Sequence, residues 1–273
     1  MYKISKLIIF LSIIIPNILT YSQEETPSPL GPGKGHKQTE IGISFGLGPI
    51  WQNGEFYSSC DCPSFKEGSG IVFTPGIIFQ RDITNWIQWG GLLDLSFQHI
   101  KSSYKERENL IFNGQNGEIF TDVPVLFREQ IDLSFNQIEL MPFLQIYPAD
   151  FIYFKLGLRA GIPFSTSVKH IKELLDEEIR LDNGETVHLS IGNRKEATIE
   201  DGKIDKVNSL LLSVVPALGF NFRLTGTLFM GVTYSFYVPL NNYSERGKDF
   251  KLSYWQIAID LRYALSLRKW IEY

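Results

Sequence analysis

Residues 151–165 read FIYFKLGLRAGIPFS. Ile152, Phe154, Leu156, Leu158, Ala160, Ile162 and Phe164 fall on one side of a two-residue repeat. Tyr153, Lys155, Gly157, Arg159, Gly161 and Pro163 fall on the other. Period 2 is the signature of a strand, whose side chains alternate between two faces. The run is longer than the roughly 5–6 residues usual in globular sheets. It is long enough to cross a bilayer, which takes about 9–11 tilted residues. One face is apolar without a break and the other carries whole charges. A soluble barrel would put the apolar face inside, so the pattern predicts that the apolar face meets lipid and the polar face lines a narrow interior.

The same pattern recurs outward from this stretch. Leu93, Leu95 and Phe97 alternate with Asp94, Ser96 and Gln98 within residues 87–101, and Ile138, Leu140 and Leu144 with Gln137, Glu139 and Gln145. Residues 254–267 alternate Trp255, Ile257, Ile259, Leu261, Tyr263 with Gln256, Ala258, Asp260, Arg262. Residues 41–48, 70–82, 209–221 and 228–238 complete the set. Eight strands result, an even number. The connections at 81–86, 147–150 and 223–226 are short, while those at 51–70, 101–130, 165–207 and 240–252 are long. This alternation predicts an all-β, eight-stranded antiparallel up-and-down transmembrane β-barrel, with short periplasmic turns and long outer loops. Aromatic residues near strand ends (Trp51, Trp86, Trp89, Tyr147, Phe151, Tyr153, Tyr237, Tyr243, Tyr254, Trp255, Trp270, Tyr273) suit girdles at the membrane–water boundary.

Ahead of the strands, Lys3 and Lys6 precede an apolar run from Leu7 to Leu19, then Thr20-Tyr21-Ser22. A basic segment, a short apolar core and small residues make a cleavable secretory signal peptide, predicted over residues 1–22. Residues 23–38, rich in Pro and Gly, read as a flexible periplasmic lead-in. Residues 39–273 form the predicted barrel domain, placed in the cell outer membrane of a Gram-negative bacterium. The 273-residue composition alone, 44% hydrophobic with a net charge of -4 and a mean hydropathy of -0.05, resembles that of a soluble protein. It excludes a disordered chain and shows no basic footprint for nucleic acid. A lipid-facing strand spends only every second residue on the apolar face, which averages to a hydropathy near zero.

Asn136-Gln137-Ile138-Glu139-Leu140-Met141-Pro142-Phe143-Leu144, followed by Phe154-Lys155-Leu156-Gly157-Leu158-Arg159-Ala160-Gly161, resembles the strand pair of PorT-like and OmpA-like outer-membrane β-barrels of Bacteroidota type. The resemblance spans residues 39–273 in architecture. It implies an outer-membrane location and brings no catalytic residues with it.

Parity places Asp94, Glu139, Lys155, Arg159, Asp260 and Arg262 in the lumen, and Arg223 is a further candidate to face it. An eight-stranded barrel is just wide enough for its side chains to fill. Buried charges must pair or cost several kcal/mol each, so these groups are expected to form a stabilising network. Cys60 and Cys62 flank Asp61 in the first long loop, where a small local disulfide, a metal contact and a bridge to another chain all remain open. In the loop 165–207, Lys169–Leu181 reads as a short helix, with Asn183-Gly184 and Asp201-Gly202 as hairpin turns. That loop is the expected surface for an envelope or surface protein. No G-x-S-x-G, H-E-x-x-H or P-loop pattern occurs, and no cofactor is expected. The reading is a structural or surface-interaction barrel in contact with outer-membrane lipid. The alternatives are a narrow-solute pore or transporter, or an outer-membrane enzyme acting on lipid or peptide.

Overall fold

The computed structural model describes residues 38–59, 63–84, 86–113, 119–149, 151–176, 178–180, 186–189, 191, 195–225 and 227–266. The expected signal peptide, nearly all of the lead-in, Cys60, Cys62, Asn183-Gly184, Trp270 and Tyr273 lie outside the described residues. The described strands are β1 (Thr39–Asn53), β2 (Gly68–Asp82), β3 (Ile87–Asn113), β4 (Ile119–Ala149), β5 (Ile152–Leu174), β6 (Glu178–Arg180), β7 (Thr186–His188), β8 (Glu196–Gly202), β9 (Leu211–Arg223), β10 (Leu228–Pro239) and β11 (Lys251–Ser266). Eight of them close a ring in the order β1-β2-β3-β4-β5-β9-β10-β11, each antiparallel to its neighbours. The ring shuts where β11 returns to β1, from Thr39 opposite Ser266 to Asn53 opposite Lys251. β8 adds to the far end of β5, and β6 pairs with β7 as a separate two-stranded piece.

Three short connections join β2 to β3, β4 to β5 and β9 to β10 at one end of the barrel. Two of them share a device. The Ile87 amide donates to Thr84 Oγ1 at 3.0 Å, and the Leu228 amide to Thr225 Oγ1 at 3.2 Å. A side-chain hydroxyl thereby satisfies the first amide of the outgoing strand.

Along the ring, the outward face is apolar over a belt. Phe45, Leu93, Leu140, Leu158, Leu218 and Ile259 are among its exposed side chains. Outward apolar side chains in an unbroken ring are stable only in hydrocarbon, since water would make them the largest apolar patch on the molecule. The barrel is transmembrane.

β3, β4 and β5 do not stop at the edge of that belt. They run to 27, 31 and 23 residues, where about 9–11 suffice to cross. Most of the stretch 101–130, expected as a loop, is therefore strand, and residues 114–118 lie outside the described residues. Beyond the belt the faces exchange character. On β4, outward Leu144, Leu140 and Ile138 give way to Asn136, Ser134, Asp132 and Gln130. Inward Gln145, Glu139 and Gln137 give way to Phe135, Leu133 and Ile131. β3 changes in step, from outward Leu95 and Phe97 to His99, Lys101 and Lys105. β5 uses a bulge: its register with β4 shifts between Asn136 and Gln137, opposite Ser165 and Pro163. Buried positions on β5 are odd up to Gly161 and even from Val168. The extra residue re-aims the strand where its surroundings change.

The extension encloses an apolar core at the long-loop end. Phe135, Leu133, Ile131, Ile100 and Val168 come from the strands. Phe56 and Phe65 are delivered by the β1–β2 loop, and Tyr243 and Phe250 by the β10–β11 loop. Phe56 and Phe250 meet at 5.1 Å between ring centroids, and Phe135 and Tyr243 at 5.5 Å, edge to face. The β1–β2 loop leaves its strand through Gly54, whose φ of 78° only glycine adopts without strain.

The structure corrects three further expectations of the fold. Among the described residues of Lys169–Leu181 there is no helix. Lys169–Leu174 continues β5, paired with β4 on one side and β8 on the other, and Glu178–Arg180 is β6. Inter-strand pairing overrides a weak local propensity. Asp201-Gly202 is not a turn but the end of β8, opposite Lys169 and Val168. Tyr147, Tyr153, Tyr237, Tyr243 and Tyr254 do not join a lipid girdle. Four of these are buried in the interior, and Tyr147 is half-buried there with its hydroxyl on Gln88. Trp86, Trp89 and Phe151 do face outward.

The inversion predicts position-dependent tolerance of charge. Leu158→Arg, in the belt, is expected to cost about 2–4 kcal/mol. Ser134→Arg, on the same outward face above it, is expected to stay within about 0.5 kcal/mol. Urea titration of the heat-modifiable folded band in lipid vesicles reads both.

Candidate functional site

The six lumen candidates are all buried, none more than 7% exposed. They divide into two groups at different heights. In the first, Asp94 on β3 and Glu139 on β4 are direct cross-strand neighbours. Arg159 on β5 reaches both: its Nη2 lies 3.2 Å from Asp94 Oδ1 and also contacts Glu139 Oε2. The guanidinium stacks over Tyr237 at 4.5 Å, with Tyr254 parallel to Tyr237 at 4.0 Å. Gln256 Nε2 donates to the Tyr237 hydroxyl at 2.6 Å and Thr74 Oγ1 donates to Gln256 at 3.0 Å. One cation here answers two carboxylates.

The second group sits toward the short turns. Arg262 Nη1 donates to Glu40 Oε2 at 2.7 Å, its Nε contacts Asp260, and its Nη2 donates to Asn221 Oδ1 at 2.5 Å. Gln80 Nε2 donates to the same Glu40 oxygen at 2.7 Å. Asp82 accepts from Gln88 at 2.7 Å and from the Gln38 amide at 3.1 Å. Lys155 places its Nζ 4.4 Å from the centre of the Phe143 ring, a cation–π contact. Glycines make this density possible: a Cβ at Gly231 would land on the Asp260 carboxylate, and one at Gly219 on the Tyr153 ring. Arg223, a candidate to face the lumen by parity, is instead exposed beside the β9–β10 turn, with Nε donating to Thr225 O at 3.2 Å. Glu40 was missed, although it shares the parity of Gly42 and Ser44 and so belongs inside.

A third constellation, at the long-loop end, had no sequence signal. Glu129 on β4 and His170 on β5 face inward within the extension and are fully buried. His170 Nε2 lies 2.8 Å from Glu129 Oε2, and His170 Nδ1 lies 2.8 Å from Ser58 Oγ in the β1–β2 loop. Phe65 packs edge-on against the imidazole at 5.2 Å. Ser58 Oγ donates to Glu200 Oε2 at 2.8 Å, and the Ser59 amide to the same oxygen at 3.0 Å. Arg246, from the β10–β11 loop, closes on Glu200 with two bonds, Nη1–Oε1 at 2.7 Å and Nη2–Oε2 at 2.9 Å. This paired grip, with the donors from Ser58 and Ser59, holds the Glu200 carboxyl far below the usual carboxylate range, at about 2. Nearby, Glu106, Glu108 and Glu129 bring carboxylate oxygens within 4.8 Å of one another. Lys172 supplies the cation among them, contacting Glu108 and, at 3.3 Å, Glu129. The site of Cys60 and Cys62 lies outside the described residues.

Two outcomes follow. Arg159→Leu strands two buried carboxylates and is expected to cost about 3–5 kcal/mol. Adding Asp94→Asn and Glu139→Gln to that variant should recover most of the loss in urea midpoint. At the rim, the Glu200 carboxyl is depressed in the folded state, so its contribution is complete above the unfolded value near 4.5 and is lost as pH falls through about 2. The protection factor of the Ser59 amide, its exchange rate corrected for the intrinsic rate at each pH, should fall over that window, and Glu200→Gln should make that factor independent of pH there.

No protein-family model and no curated protein matches the chain. Among solved structures it is similar to Ail, the attachment invasion locus protein of Yersinia pestis, at 12% identity, with 83% of this chain and 99% of that chain covered and a TM-score of 0.33. It is also similar to Neisserial surface protein A, at 10% identity, 82% and 96% coverage and a TM-score of 0.35. The outer membrane protease OmpT from Escherichia coli stands at 10% identity, 84% and 97% coverage and a TM-score of 0.27.

Proposed function

We propose that this chain is an outer-membrane β-barrel protein, of PorT-like Bacteroidota type and exported by its signal peptide. Its lumen is closed, and its rigid outer rim is a surface for binding another envelope or surface protein. The observation that carries this reading is the plugged interior. The charge networks fill the membrane-level lumen. Above them Phe56, Phe65, Phe135, Tyr243 and Phe250 pack across the mouth. A water-filled path would have to break both. What the barrel offers instead is an extension built from β3, β4, β5 and β8, whose outward face is largely polar but also exposes Ile111, Ile119 and Ile199, and whose loops are tied down.

Two measurements test this. The purified full chain in a planar bilayer is expected to show no steady conductance, and discrete ion-selective openings would establish the pore reading. A photo-crosslinker at exposed Glu196 in intact cells is expected to capture one defined envelope protein. Capture of lipid alone overturns the interaction reading.

A further inference from the structure

The rim constellation has an order that a structural latch does not require. A hydroxyl, an imidazole and a carboxylate follow one another at 2.8 Å each: Ser58 Oγ, His170 Nδ1, then His170 Nε2 and Glu129 Oε2. This is the sequence of nucleophile, base and orienting group found in acyl-transfer sites on unrelated folds. The imidazole is used the other way round from the usual triad, with Nδ1 toward the serine, which leaves the proton path intact. Such a site also needs a point about 3 Å from both the nucleophile and a set of donors, where a reacting oxygen can sit. That point exists here and is filled by the chain itself. Glu200 Oε2 is 2.8 Å from Ser58 Oγ, 3.0 Å from the Ser59 amide and 2.9 Å from Arg246 Nη2. The amide of the residue after the nucleophile is a common oxyanion donor.

We propose that Ser58, His170 and Glu129 form a carboxylic-ester hydrolase site on the aqueous side of the rim, held shut by the Glu200 carboxylate in the place of a product carboxylate. Ser58 has one proton to give, and Glu200 takes it, so the 2.8 Å contact with His170 is donated by Nδ1–H and the base is occupied. When Glu200 withdraws, the Nδ1 proton passes to solvent water and the Ser58 proton turns to the freed nitrogen. Ser58 Oγ then adds to the ester carbonyl carbon as His170 accepts the proton, and the carbonyl oxygen becomes an oxyanion between the Ser59 amide and Arg246. The C–O bond to the alcohol breaks, His170 returns the proton to the leaving alkoxide, and an acyl-Ser58 remains. Water, deprotonated by His170, adds to that acyl carbon and releases the carboxylate, and Ser58 regains its proton. Glu129 holds the imidazole and balances its transient charge. The Glu200 and Arg246 side chains are 14% and 12% exposed, and Ser58 is buried. Reaction at Ser58 requires that withdrawal of the Glu200 side chain open the serine to a small polar ester from the water side. This activity goes beyond the interaction role and does not depend on it.

The test uses the full chain, folded in detergent, with a fluorophosphonate probe and with p-nitrophenyl acetate as substrate. Glu200→Ala is expected to label at Ser58, mapped by mass spectrometry, at least about tenfold faster than the unaltered protein, since it empties the occupied position. Ser58→Ala in that background should abolish the adduct. His170→Gln should slow labelling and turnover by about 10³-fold or more. Glu200→Gln keeps the side-chain shape and should fall between the two, so it decides the matter if the alanine variant does not fold. A folded, heat-modifiable Glu200 variant with no adduct at Ser58 overturns the proposal. So does labelling that His170→Gln leaves unchanged.

Discussion

Inside hydrocarbon no backbone amide or carbonyl finds water, so each must find another strand. The closure of β11 on β1 meets that demand, and the rest of this molecule follows from it. Eight strands closed antiparallel give a lumen too narrow for bulk water and too polar to be left empty. The inward face must therefore be filled, and every charge on it needs a partner. Arg159 and Arg262 each gather two carboxylates, and the glycines opposite Asp260 and Tyr153 leave the room that these side chains occupy.

The same constraint explains why the structure changes character where it leaves the belt. Above the bilayer, water satisfies polar groups on the outside and the hydrophobic effect operates again. The inward face then becomes the better place for apolar side chains. β3 and β4 make the exchange by composition alone. β5 makes it with a bulge, because its run from Ile162 to Phe164 leaves the buried parity out of step with Val168 and His170. The result is one continuous sheet with a membrane barrel's interior below and a soluble protein's core above.

How much of this was legible in the sequence depended on which half a residue lay in. Within the belt, alternation is strong because lipid imposes it on every second position, and Asp94, Glu139, Lys155, Arg159, Asp260 and Arg262 stand out against apolar neighbours. Above the belt, the stretch Lys101–Glu108 mixes charges on both faces. Its strand character comes from pairing with residues 125–132 rather than from its own pattern, so it reads as loop. The tyrosines misled for a related reason: a ring with a hydroxyl suits a membrane boundary and a polar lumen equally well, and only the hydrogen bonds of Tyr153 to Thr233 and of Tyr237 to Gln256 distinguish them. The Ser58–His170–Glu129 chain spans separations of 112 and 41 residues. No local motif can announce contacts of that range.

A barrel that ended at the bilayer surface would leave its long loops to pay their ordering entropy on meeting a partner. Here the cost is met during folding. Phe56, Phe65, Tyr243 and Phe250 anchor two loops in the outer core, at about 1.5–3 kcal/mol of burial for each large apolar side chain. The Glu200 cluster then ties both of those loops to β8, since Ser58 belongs to one and Arg246 to the other. Under either proposal, binding or chemistry at Ser58, the groups involved are already held in place. That is the physical advantage of continuing three strands far past the membrane: the extension converts loops into a fixed surface, and only a fixed surface can hold a serine, a base and an oxyanion position in register.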